Sequence, residues 1–173
     1  MASTRPAPEL PATPLFTVVR WAGPVGSVIV TIVVLATYPS LPDRVPTHFT
    51  GAMEADSYGP RWSVLALGAV FVALSGAMGW LADKPHRFNY PTPVTPDNAQ
   101  AVYRAGAMMM GGLGCAMPIL YAGLVLAVHG LPGLPLMIAG LAVLGGALVV
   151  GIWRIGRVSR IETVYHYGRE RDR

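Results

Sequence analysis

The chain has 173 residues, of which 53% are hydrophobic and only 13% are charged. Soluble domains carry about 25% charged residues, so this composition excludes an ordinary soluble domain and favours a membrane protein. The net charge of +4 does not indicate a nucleic-acid partner, because the basic residues cluster beside the ends of apolar segments. The single cysteine, Cys115, excludes an intrachain disulfide.

Four apolar segments are each close to the roughly 20 residues that a helix needs to cross a bilayer. They cover residues 21–38, 62–81, 105–128 and 134–153. None shows the alternation of polar and apolar residues that is typical of barrel strands. The sequence therefore predicts an all-α membrane protein, a bundle of four transmembrane helices.

Arginine and lysine residues are distributed unevenly between the two sides of this four-span layout. Arg44 and Arg61 fall on one side, and the other eleven basic residues fall on the opposite side. The positive-inside rule then predicts cytoplasmic N- and C-termini. Twelve arginines against one lysine, with abundant Ala and Gly, favour a GC-rich bacterial host, so we expect a bacterial plasma membrane protein.

The segments between the apolar runs suggest a domain organisation. We expect a disordered cytoplasmic tail over 1–16, a two-helix membrane domain over 17–82 with an extracytoplasmic loop at 39–61, a cytoplasmic linker over 83–95, a helical pair over 96–156 and a basic cytoplasmic tail over 157–173.

Small residues recur at four-residue spacing on the second and fourth helices, which predicts close helix packing within the bundle or in a homo-oligomer. These are Ala69, Ala73 and Ala77, and the pairs Ala142/Gly146 and Ala147/Gly151.

The cytoplasmic side carries two patterns. Thr95 is a suitable N-cap and Pro96 fits the first position of the third helix. We expect Asn98 and Tyr103, near the start of this helix, to cap it and to anchor it. After the fourth span, arginines recur every three residues and would lie near one face of a continuing helix. These residues, Arg154, Arg157 and Arg160, are predicted to contact anionic lipid headgroups.

The extracytoplasmic loop carries the most unusual chemistry. Leu41-Pro42 and Val45-Pro46 favour an extended backbone, because a residue before proline is pushed toward β or polyproline geometry. A small β-hairpin between the first two helices is therefore predicted. We expect the side chains of His48, Asp56 and Arg61 to meet near the membrane surface.

The loop sequence resembles a known family. Two stretches carry the resemblance. The first is YPSLPDRVPTHFTGAMEADSYGPRW, and the second is FNYPTPVTPDNAQAVYR. The first is similar to the bacterial membrane domain of unknown function found at the N-terminus of SdpI-type toxin-immunity proteins, and the second resembles the cytoplasmic segment that follows this domain in many relatives. The family pattern maps onto Leu41, Pro42, Val45, Pro46, His48, Phe49, Asp56, Gly59 and Arg61. Two positions depart from it: Met53 replaces a common glycine, and Arg61 replaces a lysine.

These observations favour a non-enzymatic binding or accessory protein, whose loop binds an extracytoplasmic peptide or protein and whose helices contact membrane lipids. His48 is open to three interpretations, as a structural, pH-sensing or ligand-binding residue. A small oligomeric channel or transporter component is the alternative, although the predicted spans contain no Asp, Glu, Lys, Arg or His for ion coupling. No catalytic residue, metal ligand or cofactor is predicted, because the chain lacks hydrolase, zinc and phosphate-binding motifs.

Overall fold

The computed structural model describes residues 5–10, 13–52 and 54–171, with side chains described up to residue 159. Within these residues it has four helices and one antiparallel hairpin: α1 Pro14–Thr37, β1 Arg44–Phe49, β2 Ala55–Pro60, α2 Ser63–Ala82, α3 Ala99–Val128 and α4 Leu134–Arg171. Short 3₁₀ turns at Tyr38–Ser40 and Pro85–Arg87 follow α1 and α2. The predicted fold class is confirmed, including the hairpin between the first two helices.

All four helices are long and apolar enough to cross a membrane. Large apolar side chains point outward from them, among them Ile29, Val70 and Val149, which are 55%, 53% and 67% exposed. Such surfaces need lipid around them. The chain is therefore a multi-pass membrane protein, with the hairpin at one end of the bundle (the hairpin end) and the segment 83–98 at the other (the linker end).

The helices do not contribute equally to the bundle. α1, α2 and α3 each pack on the other two, whereas α4 packs mainly on α3. The crossing of α1 and α3 brings Gly23 against the backbone of Gly114, where a side chain on Gly23 would have no room. The membrane core is thus a three-helix unit with a fourth helix attached to one side.

The predicted small-residue seams divide between the inside and the outside of the bundle. Ala147 and Gly151 lie on the interface with α3, against Gly112 and Met109 respectively. The other two seams, Ala69/Ala73/Ala77 on α2 and Ala142/Gly146 on α4, are exposed. On α2, the residues that face the inside of the bundle are instead Val64, Gly68, Ser75 and Gly79.

Two helices begin at residues that differ from the predicted ones. α1 begins at Pro14 rather than inside 17–21, since the Thr13 hydroxyl accepts a hydrogen bond from the Phe16 amide at 3.3 Å and caps it. α3 begins at Ala99 rather than at Pro96. α4 continues to Arg171, so the predicted basic tail is helical over residues 157–171.

The N-terminal segment makes contacts at the linker end, in contrast to the prediction of a disordered tail over 1–16. The Arg5 guanidinium donates to the carbonyl of His86 at 3.0 Å. The Gln100 side chain accepts from the backbone amide of Glu9 at 2.7 Å. Residues 5–10 therefore lie against the linker and the start of α3, and residues 1–4, 11 and 12 lie outside the described part of the chain.

Candidate functional site

The hairpin is anchored on the bundle by two apolar side chains. Leu41 and Val45 are 6% and 0% exposed, and both pack into a cluster with residues of α1, α2 and α3. The cluster consists of Val34, Leu41, Val45, Val64, Tyr121 and Val125. The hairpin is thus fixed to the helices through its first strand and the segment just before it. Most of the other residues of the two strands are exposed.

Two irregularities in the strand register bring His48 and Asp56 together. His48 is paired with Ser57, and the register shifts on either side of His48, which leaves Thr47 and Asp56 without a direct partner. An extra residue in one strand re-aims the side chains beside it. The result is a hydrogen bond of 2.6 Å between His48 Nδ1 and Asp56 Oδ1.

This pair can take part in recognition. An ionised carboxylate only accepts hydrogen bonds, so Nδ1–H of His48 is the donor and its Nε2 atom is left to interact with another molecule. The side chains of His48 and Asp56 are 69% and 47% exposed, respectively, so the pair stands largely in solvent. Among the described residues, no group of three or more His, Cys, Asp or Glu could hold a metal ion.

Arg61 does not join this pair, contrary to the expectation. Its Nε atom lies 3.9 Å from Asp43 Oδ1, and its guanidinium lies 5.4 Å from the centroid of the Tyr38 ring. Its backbone amide also donates to the Asp43 carbonyl at 2.9 Å. Arg61 follows β2, whereas Asp56 lies next to the tip, so the length of the strand separates them. Arg61 therefore closes the base of the hairpin loop.

Other positions of the predicted motif shape the hairpin. A Cβ atom on Gly59 would lie 2.7 Å from Thr47 Cγ2, so this strand position favours glycine. At the tip, the Thr50 amide donates to the Glu54 carbonyl at 2.8 Å. Pro42 is exposed just before β1, and Met53, where the chain departs from the family pattern, lies outside the described residues.

An apolar groove opens beside β1. It has a volume of about 230 Å³ and is lined by strand and helix residues together: Val45, Pro46, Thr47, Phe49, Ser63, Val64, Leu67, Leu124 and Val128. Pro46 and Phe49 belong to the motif that the sequence indicated. The contributions of α2 and α3 were missed, because nothing local in Leu67 or Leu124 distinguishes them from other apolar residues of a span.

His129 lies at the end of α3, at the hairpin end of the bundle. Its Nδ1 lies 2.8 Å from the carbonyl oxygen of Val125, and its Nε2 lies 3.1 Å from Thr37 Oγ1. These contacts join α1 and α3 at the hairpin end and leave His129 out of the His48–Asp56 pair. Gly130 follows with φ +71°, a left-handed conformation that glycine adopts readily, and turns the chain toward α4.

At the linker end, the predicted cap residues bond to each other. The Thr95 hydroxyl accepts from the Asn98 amide at 3.3 Å, and Asn98 Oδ1 accepts from the Thr95 amide at 2.9 Å. This is the reciprocal arrangement of a capping box, with Pro96 in the turn between its two members. Asn98 also donates to the Pro93 carbonyl at 3.1 Å and is only 4% exposed.

Tyr103 lies in a buried aromatic group under this turn. It is 0% exposed, and its ring centroid lies 6.1 Å from that of Tyr90. Burial, with a further contribution from Tyr103, raises the pKa of Tyr90 well above its usual range, so the phenol stays neutral and donates to the Pro85 carbonyl at 2.9 Å. Tyr103 and Asn98 are thus placed to hold the linker on α3.

The three arginines predicted to contact headgroups are on the last part of α4. Arg154 and Arg157 are exposed. The Arg157 guanidinium lies 5.3 Å from the Trp153 ring centroid. Arg160 is in the helix, but its side chain lies outside the description.

Comparison with known families finds one match, to a domain of unknown function, DUF1648, over residues 25–72. The matched range contains most of α1, the whole hairpin and the first half of α2. The description of this family carries no link to toxin immunity. No curated protein and no solved structure matches the chain. The hairpin end therefore contains a DUF1648 domain, in an integral membrane protein whose last two helices lie outside the match.

Proposed function

We propose that this chain is a non-enzymatic binding protein of the bacterial plasma membrane, whose hairpin end binds an extracytoplasmic peptide or protein. The observation that carries the proposal is the apolar groove of about 230 Å³ between β1 and the ends of α2 and α3. Apolar clefts with a few polar groups at the rim are typical of binding sites.

The neighbourhood of the groove suits a peptide. Thr47 and Phe49 line it, and His48 lies between them in β1 with its Nε2 atom available. An apolar side chain of the ligand would occupy the groove while His48 bonds to a polar group beside it. Among the described residues β1 pairs only with β2, so its other edge offers backbone groups to an extended segment.

Binding fits the His48–Asp56 pair better than catalysis. Acid–base and nucleophilic enzymes position their groups in sites from which water is excluded, where electrostatic effects are strong. His48 is 69% exposed, and its one described side-chain hydrogen bond is to Asp56. A largely solvated imidazole supports recognition of a ligand.

The proposed orientation follows from charge. Lys84, Arg87, Arg104, Arg154 and Arg157 belong to the linker end, and the hairpin end has Arg44 and Arg61. The positive-inside rule then assigns the linker end to the cytoplasm and the hairpin to the outside.

The resemblance to the membrane domain of SdpI-type immunity proteins supports a toxin peptide as the class of ligand.

Site-specific photo-crosslinking in living host cells tests the proposal. A photoreactive residue at Thr47, which is exposed and lines the groove, is expected to capture a defined extracytoplasmic peptide or protein. The matched control is Val70, which is 53% exposed on α2 away from the groove and should capture lipid.

A groove-filling variant makes the test specific. Ser63→Trp places a large ring in the groove and should reduce the Thr47 adduct about tenfold, because the ligand then loses the burial of one apolar side chain. Capture of only lipid at Thr47 would refute the proposal. Capture of only a second copy of the chain would refute it too and support the oligomeric channel.

A further inference from the structure

A second groove lies at the linker end, on the lipid-facing side of α3. Its volume is about 250 Å³, and its lining is apolar apart from one arginine. The residues that line it are Val19, Ala105, Met108, Met109, Gly112, Ala147, Val150, Gly151 and Arg154. Nothing in the proposed peptide-binding function involves this groove.

The arrangement of the helices creates the groove. α1 and α4 both pack on α3 but make little contact with each other, which leaves a gap along α3. Val19 of α1 forms one wall and Val150 of α4 the other, with Met108 between them on α3. Methionine side chains are flexible and adapt to irregular partners, as an acyl chain would require.

The groove runs along the helices from the linker end toward the middle of the bundle. Ala105 belongs to the buried cluster with Ile155 at the linker end, and Gly112 lies two turns further along α3. Seven residues of helix correspond to about 10 Å. The groove therefore follows the direction that an acyl chain takes from the headgroup layer into the hydrocarbon.

Arg154 stands at the end of the groove where a headgroup would be. It is exposed and makes no hydrogen bond or ion pair with any described side chain. Two neighbouring cations are engaged, since Arg20 pairs with Asp83 at 2.8 Å and Arg157 lies over the Trp153 ring. An apolar slot that ends at an unpaired guanidinium is complementary to a lipid with a negatively charged phosphate.

We propose that this groove binds one anionic phospholipid, with an acyl chain between α1 and α4 and the phosphate on the Arg154 guanidinium. This is a defined site for a single lipid molecule, in addition to the general attraction of basic residues to a negative membrane surface. It does not depend on the peptide-binding role of the hairpin end or on the identity of its ligand.

Native mass spectrometry of the full chain in neutral detergent micelles tests the proposal, with added phosphatidylglycerol or phosphatidylcholine as the probe. Neutral micelles remove the surface attraction, so only direct contacts retain lipid. We expect one phosphatidylglycerol per chain, bound about tenfold more tightly than phosphatidylcholine, because the choline cation beside the phosphate of phosphatidylcholine neutralises its charge and opposes the Arg154 guanidinium.

Two pairs of variants separate the site from its surroundings. Arg154→Gln should weaken the binding of phosphatidylglycerol about tenfold, whereas Arg157→Gln, one turn away on α4, should change it less than twofold. Val150→Trp fills the groove from a position that is 48% exposed and should also weaken binding, unlike Val149→Trp at the adjacent position, which is 67% exposed and outside the groove. Equal losses within either pair, or equal retention of the two lipids, would overturn the proposal.

Discussion

Val45→Ala tests whether the hairpin is held on the bundle by burial of its first strand. Val45 is 0% exposed in the cluster that joins β1 to the helices. The substitution removes two buried carbon groups, each contributing about 0.8 kcal/mol of transfer free energy, and leaves part of their space empty. Because Val45 also borders the open groove, the cavity term is small, and we expect a loss of about 2 kcal/mol.

Hydrogen exchange of the hairpin amides measures this loss directly. A docking free energy lower by about 2 kcal/mol increases the open population about 30-fold, and amides in residues 44–60 should exchange faster by that factor when exchange is limited by the opening equilibrium. The protein would be compared in lipid nanodiscs with Val70→Ala, which is the same chemical change at a position that is 53% exposed. Hairpin exchange that stays within twofold of the original protein, or that rises equally in Val70→Ala, would refute the anchoring role of Val45.

Two further experiments probe the linker end and the tip of the hairpin. Gly106→Ala should lower thermal stability in detergent by about 1–3 kcal/mol, because its Cβ would lie 2.5 Å from Tyr90 Oη. Gly145→Ala, where a Cβ meets nothing within 4 Å, should not lower stability, and an equal loss in both variants would contradict the close approach. A double-mutant cycle of His48→Ala and Asp56→Ala should give a coupling of only about 0.2–1 kcal/mol in hairpin stability, since both side chains are substantially exposed. A coupling above about 2 kcal/mol would show that the pair is shielded from water.

The helices and the hairpin could be predicted from local sequence. Uninterrupted apolar segments of about 20 residues have to pair their backbone groups internally in lipid, so they form helices whatever their neighbours are. Val45-Pro46 likewise favours an extended backbone through a steric effect between adjacent residues. Boundaries were less accurate at Pro14, where the hydrogen bond to the Thr13 side chain caps the first turn, and at Ala99.

The candidate site could be predicted only in part. His48 and Asp56 were chosen as residues that meet, but Arg61 was grouped with them and instead lies by Asp43. The register shifts beside His48 decide which side chains face each other, and a shift of one residue reverses the direction of a side chain. Residue types alone do not encode that shift.

By itself, the sequence determined that this chain crosses a membrane four times, carries a polar hairpin between its first two spans and concentrates its basic residues at the other end. These properties depend on composition and on interactions between residues that are close in the chain. Only the tertiary structure decided that α4 packs mainly on α3 and that two apolar grooves exist. It also decided that Ala69, Ala73 and Ala77 face outward. A groove is the space left between elements, so its walls come from residues such as Val19 and Val150 that are far apart in the sequence.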